Sequence, residues 1–202
     1  MTPSIKAALI IVDLQEDFCP PVSSLAVTDG RSIAPVINDL LKLPWTLRVA
    51  TKDMHPKDHI SFASQHPPPN NKPFESSITI ANPHNPEETQ TTNLWPDHCV
   101  AGSPGSELIP ELDIVETGLA KTLKEKGVTH VFCVGLAADF CVKATAIDAA
   151  KEGFETVVIR EGTKGVEQGD EADKKLAQEL KENNVKMVSV DGAEVAKVRD
   201  LQ

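Results

Sequence analysis

Residues 7–15 read Ala7-Ala8-Leu9-Ile10-Ile11-Val12-Asp13-Leu14-Gln15. Six apolar residues, half of them β-branched, run directly into a carboxylate, the pattern of a buried strand that ends at a polar edge. Four further short apolar runs, each leading into polar or Gly residues, read the same way: Leu47–Ala50, 131–134, 156–159 and 185–190. Between most of them lie segments of helical character at 33–43, 119–126, 140–151 and 171–182, the last with Ala172, Leu176 and Leu180 spaced four apart. Strand and helix alternating in this rhythm predict an α/β fold, doubly wound, with a parallel sheet covered by helices on both faces.

Residues 53–113 break the rhythm. They hold ten of the fifteen prolines, Pro67-Pro68-Pro69 among them, with little periodicity and several His and Asn. In an open α/β sheet, ligands sit beyond the C-terminal ends of the strands, and this stretch leaves such an end. It is expected to be a long active-site loop within a single domain spanning 1–202.

The 202 residues suffice to bury a core without disulfides, and no apolar run approaches the roughly 20 residues that cross a bilayer. The net charge of −10, with no Lys/Arg cluster among aromatics, argues against nucleic acid as a partner. Cys19, Cys99, Cys133 and Cys141 follow an N-terminal apolar run too short for a secretory signal. The expected setting is intracellular and cytoplasmic, with nucleus or peroxisome left open; a homo-oligomer is also left open.

Several residues are placed to do chemistry. Asp13 would leave the sheet at its ligand end, or serve only as a turn or cap acid. Asp53-Met54-His55 follows the second strand run, and Asp-x-His in extended chain directs both side chains to one face, as a metal chelate requires. Trp95-Pro96-Asp97-His98 supplies a third candidate ligand, unless His98 merely decorates a surface loop. One carboxylate with two imidazoles suits zinc, iron or manganese with open coordination positions. Cys141, in Gly135-Leu136-Ala137-Ala138-Asp139-Phe140-Cys141, follows a strand at the start of a helix that Asp139 can cap. There the helix dipole would favour thiolate and nearby amides could hold an oxyanion; the alternative is a small buried hydrophobe. Cys133, inside the preceding strand, fits that alternative.

Together, Ile11 through Pro20, Thr51 through Pro56, Asp58 through Ala63, Leu94 through Val100 and Gly135 through Ala146 resemble the metal-binding nicotinamidases of the isochorismatase-like cysteine hydrolase family, in order over nearly the whole chain. The resemblance implies a six-stranded parallel sheet and a site for a pyridine carboxamide, with nicotinamide as the small-molecule substrate, hydrolysed to nicotinate and ammonia in NAD salvage. It implies Asp13 as acid-base carboxylate, Cys141 as nucleophile, and Asp53, His55 and His98 as ligands of one divalent ion, Zn2+ first, with Fe2+ or Mn2+ as alternatives. Phe18, Leu25, Trp95 and Phe140 would wall the ring. A cis peptide would fall at Leu136-Ala137, with the Ala137 and Cys141 amides at the oxyanion.

One departure matters for chemistry. The family carries a triad lysine at the end of a strand after Trp-Pro-Asp-His, followed by a loop. Here that position falls near Thr117, and the segment runs from Leu112 straight into the next helix. Lys121 or Lys124 would be the nearest substitutes, but both fall in the following helix, whose exposed face is the simpler account of them. Two other readings therefore stand beside the enzyme: a catalytically impaired homologue that binds metal and ligand or acts as an oligomer subunit, and a hydrolase of another small amide. Met54 stands where an aromatic is usual and would fill the same pocket; His59 would be a secondary contact or a surface residue, His66 and His84 surface residues, and His130 structural.

Overall fold

The computed structural model describes residues 5–21, 23–82, 85–114 and 121–201. Its centre is β1 (Ala7–Val12), buried along its entire length. Because side chains alternate across a strand, Ala7, Leu9 and Ile11 enter one apolar cluster while Ala8, Ile10 and Val12 enter another. The first cluster lies under α1 (Ala34–Leu41) and α5 (Ala193–Arg199), the second under α2 (Lys121–Glu125), α3 (Lys143–Lys151) and α4 (Asp170–Glu182). Each fully buried aliphatic side chain in these layers contributes about 1.5–3 kcal/mol.

Around β1 the described residues form a five-stranded, all-parallel sheet of β2 (Leu47–Ala50), β5 (His130–Leu136), β6 (Glu155–Lys164) and β7 (Val185–Val188), in the order β2-β1-β5-β6-β7. The chain moves outward from β1 to β2 on one side and from β5 to β7 on the other. This makes the β1/β5 boundary the switch point at which loops diverge and a crevice opens. The register pairs Ile11 with Ala50 and Val12 with Gly135, so Asp13, Thr51 and Leu136-Ala137 emerge side by side at the C-terminal edge.

The structure corrects several expectations. Five strands are present where six were expected among the described residues; the strand expected to end near Thr117 falls on residues 115–120, which lie outside them. The stretch 53–113 is not loop throughout, since β3 (Ser77–Asn82) and β4 (Asn85–Asn93) form an antiparallel hairpin. Its alternation at Ile78 and Ile80 was weak because the facing strand is polar and exposed almost throughout. The helix expected from Phe140 is a π-helical turn over Ala138–Val142 that becomes α-helical only at Lys143. Asp139 caps nothing: its carboxylate accepts the Val166 and Glu167 N–H groups, both at 2.9 Å. The helix α5 was not anticipated.

Gly135 is where the sheet can least tolerate a side chain. Its φ is +114°, and a β-carbon there would lie 2.0 Å from the Val12 carbonyl oxygen, immediately before Asp13. Gly153 is also at positive φ (+91°) but has nothing within 4 Å of such an atom. We predict that Gly135→Ala lowers unfolding free energy by roughly 2–5 kcal/mol, from the backbone conformation and the clash together. Gly153→Ala carries only the conformational part, and urea midpoints at unchanged slope read the difference.

Candidate active site and metal centre

Asp13 leaves β1 in the left-handed region, at φ 47°, a conformation that Asp tolerates better than most residues. The hydroxyl of Thr51, at the end of the neighbouring strand, donates to its Oδ1 at 2.5 Å and accepts its N–H at 3.2 Å. Across the switch point, β5 ends in a cis peptide between Leu136 and Ala137, as the resemblance implies. The π turn then carries Cys141 back towards Asp13, near enough for the Asp13 carboxylate and the Ala137 backbone to act on its thiol. Burial pushes the Asp13 carboxyl up, against the lowering effect of Thr51 and Cys141. Burial, reinforced by the negative fields of Asp13 and Asp53, pushes the Cys141 thiol up to about 12.

Asp53, His55 and His98 converge, with one ligand atom from each lying within 4.8 Å of the others. Asp53 Oδ2 stands 3.0 Å from His55 Nε2 and 3.3 Å from His98 Nε2. His98 Nδ1 lies 2.7 Å from the Pro96 carbonyl; donating its proton there leaves Nε2 as the lone-pair donor, the arrangement a metal-ligating histidine requires. Beneath the rings lies Phe62, fully buried, with centroids 5.4 Å from His55, 5.7 Å from His59 and 5.5 Å from His98. Burial raises the Asp53 carboxyl, but His98 and His55 outweigh it and hold the group below its ordinary value. This donor set fits a borderline divalent cation with open positions.

Trp95 meets Phe140 edge-on, with centroids 5.9 Å apart at 90°, and Phe18 tilts against His98 at 5.8 Å. Leu25 is half-buried against the apolar cluster under α1. Phe74 was missed: it packs edge-on against Trp95 at 5.8 Å and extends the aromatic row from within the proline-rich stretch, where only its residue type marked it. Thr51 was missed as well, although its place at a strand end beside Asp13 offered a signal. Met54 fills no pocket and is 55% exposed. His59 stacks on His55 at 4.3 Å and contacts Ser61 Oγ through Nδ1; His66 contacts the Ile60 carbonyl at the surface. Lys124 pairs with Glu152, away from the site. Thr117, His84 and the side chain of Lys121 lie outside the described residues.

The isochorismatase domain model matches residues 7–191. A nicotinamidase of Saccharomyces cerevisiae is 33% identical over 214 aligned positions, covering 89% of this chain and 98% of that protein. One of Acinetobacter baylyi is 39% identical and covers 80% of this chain and 83% of its own. The solved structure of the yeast nicotinamidase superposes with a TM-score of 0.81 at 32% identity, over 90% of this chain and 99% of that one. A pyrazinamidase of Pyrococcus horikoshii in complex with zinc gives 0.64 at 30% identity, over 91% and 99%. The yeast alignment is longer than the whole 202-residue chain, so that relative carries stretches with no counterpart here. A match across that span of the sequence, joined to that superposition, means that the chain belongs to the isochorismatase-domain family.

Proposed function

We propose that the chain is a metal-dependent nicotinamidase, which hydrolyses nicotinamide to nicotinate and ammonia through a thioester on Cys141, a step of NAD salvage. The observation that carries the reading is the meeting of a thiol and a carboxylate at one strand-end crevice within the electrostatic reach of Asp53, itself one of three converging ligands. The nicotinamidase relatives support it. So do the solved structures of the yeast enzyme with nicotinaldehyde and of a protein from L. infantum with nicotinate. We place the activity inside the cell, where four free thiols stay reduced.

Asp13 takes the thiol proton as the Cys141 sulfur attacks the amide carbon, and the Ala137 and Cys141 amides face the oxygen that gains charge. The proton passes from Asp13 to the leaving nitrogen, and ammonia departs. Water then adds to the thioester with its proton going to Asp13, and nicotinate leaves as the proton returns to sulfur. Phe18, Leu25, Trp95 and Phe140 hold the ring. Asp53, His55 and His98 would hold the divalent ion, Zn2+ before Fe2+ or Mn2+, and when bound it supplies an electrophilic centre that orients the pyridine nitrogen.

A second reading, an impaired homologue that keeps metal and ring binding, is favoured by one observation. Among the described residues, none of the largest influences on Asp13 and Cys141 is a cation, while Lys52, Lys124 and Lys143 are engaged by Glu107, Glu152 and Glu179. A cation beside the pair would lower the thiol pKa; here proton transfer must accompany attack.

Three measurements test the site, the first of them deciding between the two readings. Wild-type protein should release ammonia from nicotinamide, and Cys141→Ala should reduce the rate by at least about 10⁴-fold while retaining metal; metal binding with wild-type turnover no faster than the variant's would favour the second reading. Because the thiol pKa is raised to about 12, the alkylation rate of Cys141 in the free protein should climb about tenfold per pH unit from pH 7 to 10. A plateau near neutrality would reveal an unseen cation. His98→Ala should weaken Zn2+ binding by more than the roughly 10–100-fold that loss of an outer partner costs, read by competition with a chromophoric chelator.

A further inference from the structure

Gln15 belongs to neither the reacting pair nor the ligand set, yet its side chain is fully buried and has every polar atom engaged. Its Nε2 donates to the Asp53 carbonyl at 2.8 Å and to the Ser106 carbonyl at 2.8 Å, while its Oε1 accepts the Asp53 N–H at 2.7 Å. One primary amide therefore grips residue 53 by both of its main-chain polar groups, as a neighbouring strand would. Two residues further along the same segment, Asp17 Oδ2 accepts the N–H of Cys99, the residue after His98, at 2.7 Å. Gly105 packs so closely that a β-carbon there would lie 2.1 Å from the Asp17 carboxylate.

We infer that Gln15 is the positioning residue of the metal centre, fixing the direction in which Asp53 presents its carboxylate to His55 and His98, with Asp17 setting the backbone beside His98. The inference rests on the proposed metal site and deepens it. The requirement is chemically narrow. A carboxylate at position 15 would face two carbonyl oxygens with no donor, and asparagine is one methylene short. An apolar residue would strand two carbonyls and an N–H without partners. Asp53 is half-buried and lies outside any regular strand or helix, so it has no ladder of its own to hold its backbone.

The test compares wild type, Gln15→Met and Val195→Ala, the last a truncation of a buried side chain on α5. Urea unfolding without metal measures what each change costs the fold; Zn2+ affinity and the visible spectrum of the Co2+-loaded protein measure the site. Gln15→Met should weaken Zn2+ binding about 10–100-fold and alter the Co2+ bands, whereas Val195→Ala, even at an equal loss of stability, should leave both unchanged. Should Gln15→Met prove too unstable to titrate, Asp17→Asn, which keeps an acceptor for Cys99 but removes the charge, should retain most of the affinity, and Asp17→Ala should lose it. Unaltered affinity and spectrum in Gln15→Met, or equal losses in Val195→Ala, would overturn the inference. Failure of the wild type to bind Zn2+ would instead overturn the metal site beneath it.

Discussion

The architecture follows from burying β1 on both faces. A six-residue strand with no polar side chain can satisfy its backbone only by pairing on both edges, and can cover its side chains only with a layer above and a layer below. β2 and β5 supply the edges, and the helices of the two apolar clusters supply the layers. Once that is settled, the first polar residue after the strand emerges where the chain reverses its winding, and Asp13 occupies that place. Its partner across the switch point is the end of β5, which explains why a thiol and a carboxylate 128 positions apart in the numbering meet at one edge.

The two halves of the site are held by different means. Asp13 and Cys141 ride on the sheet, one directly at the end of β1 and the other on the turn after β5, so their approach is as rigid as the strand register. The ligand trio rides on irregular chain. Its order comes from Phe62 beneath the rings, from the Pro96 carbonyl on His98, and from the amide of Gln15 and the carboxylate of Asp17 reaching out of the segment after β1. The sheet therefore organises both halves, the second through side chains that bond to backbone.

Much of this was legible in the sequence, for identifiable reasons. β1 and β2 stand at the residues expected of them; β1 was plain because a parallel strand buried on both faces reads as a continuous apolar stretch, while β2, at the sheet edge, is only partly buried and includes Arg48. Asp53 and His55 were legible through their two-residue spacing, and His98 only through its motif, since nothing local ties it to a loop 43 residues earlier. The β3/β4 hairpin escaped because it shields little from water and so carries little apolar signal. The role of Gln15 was invisible for a different reason: its partners are main-chain atoms, and any residue at 53 or 106 would offer them. Asp139 was misread because helix-capping logic looks for nearby N–H groups, while the ones it uses belong to residues 27 and 28 positions away.

That last contact ties two distant stretches of the chain into one mechanical unit. By gripping two successive peptide groups after β6, Asp139 anchors the turn that bears the sulfur to the connection leading into α4. Insertions or deletions at 165–167 would therefore be transmitted to the Cys141 thiol although they fall well outside the motif that carries it. Among descendants of this sequence, the length of that connection should drift far less than that of other exposed turns.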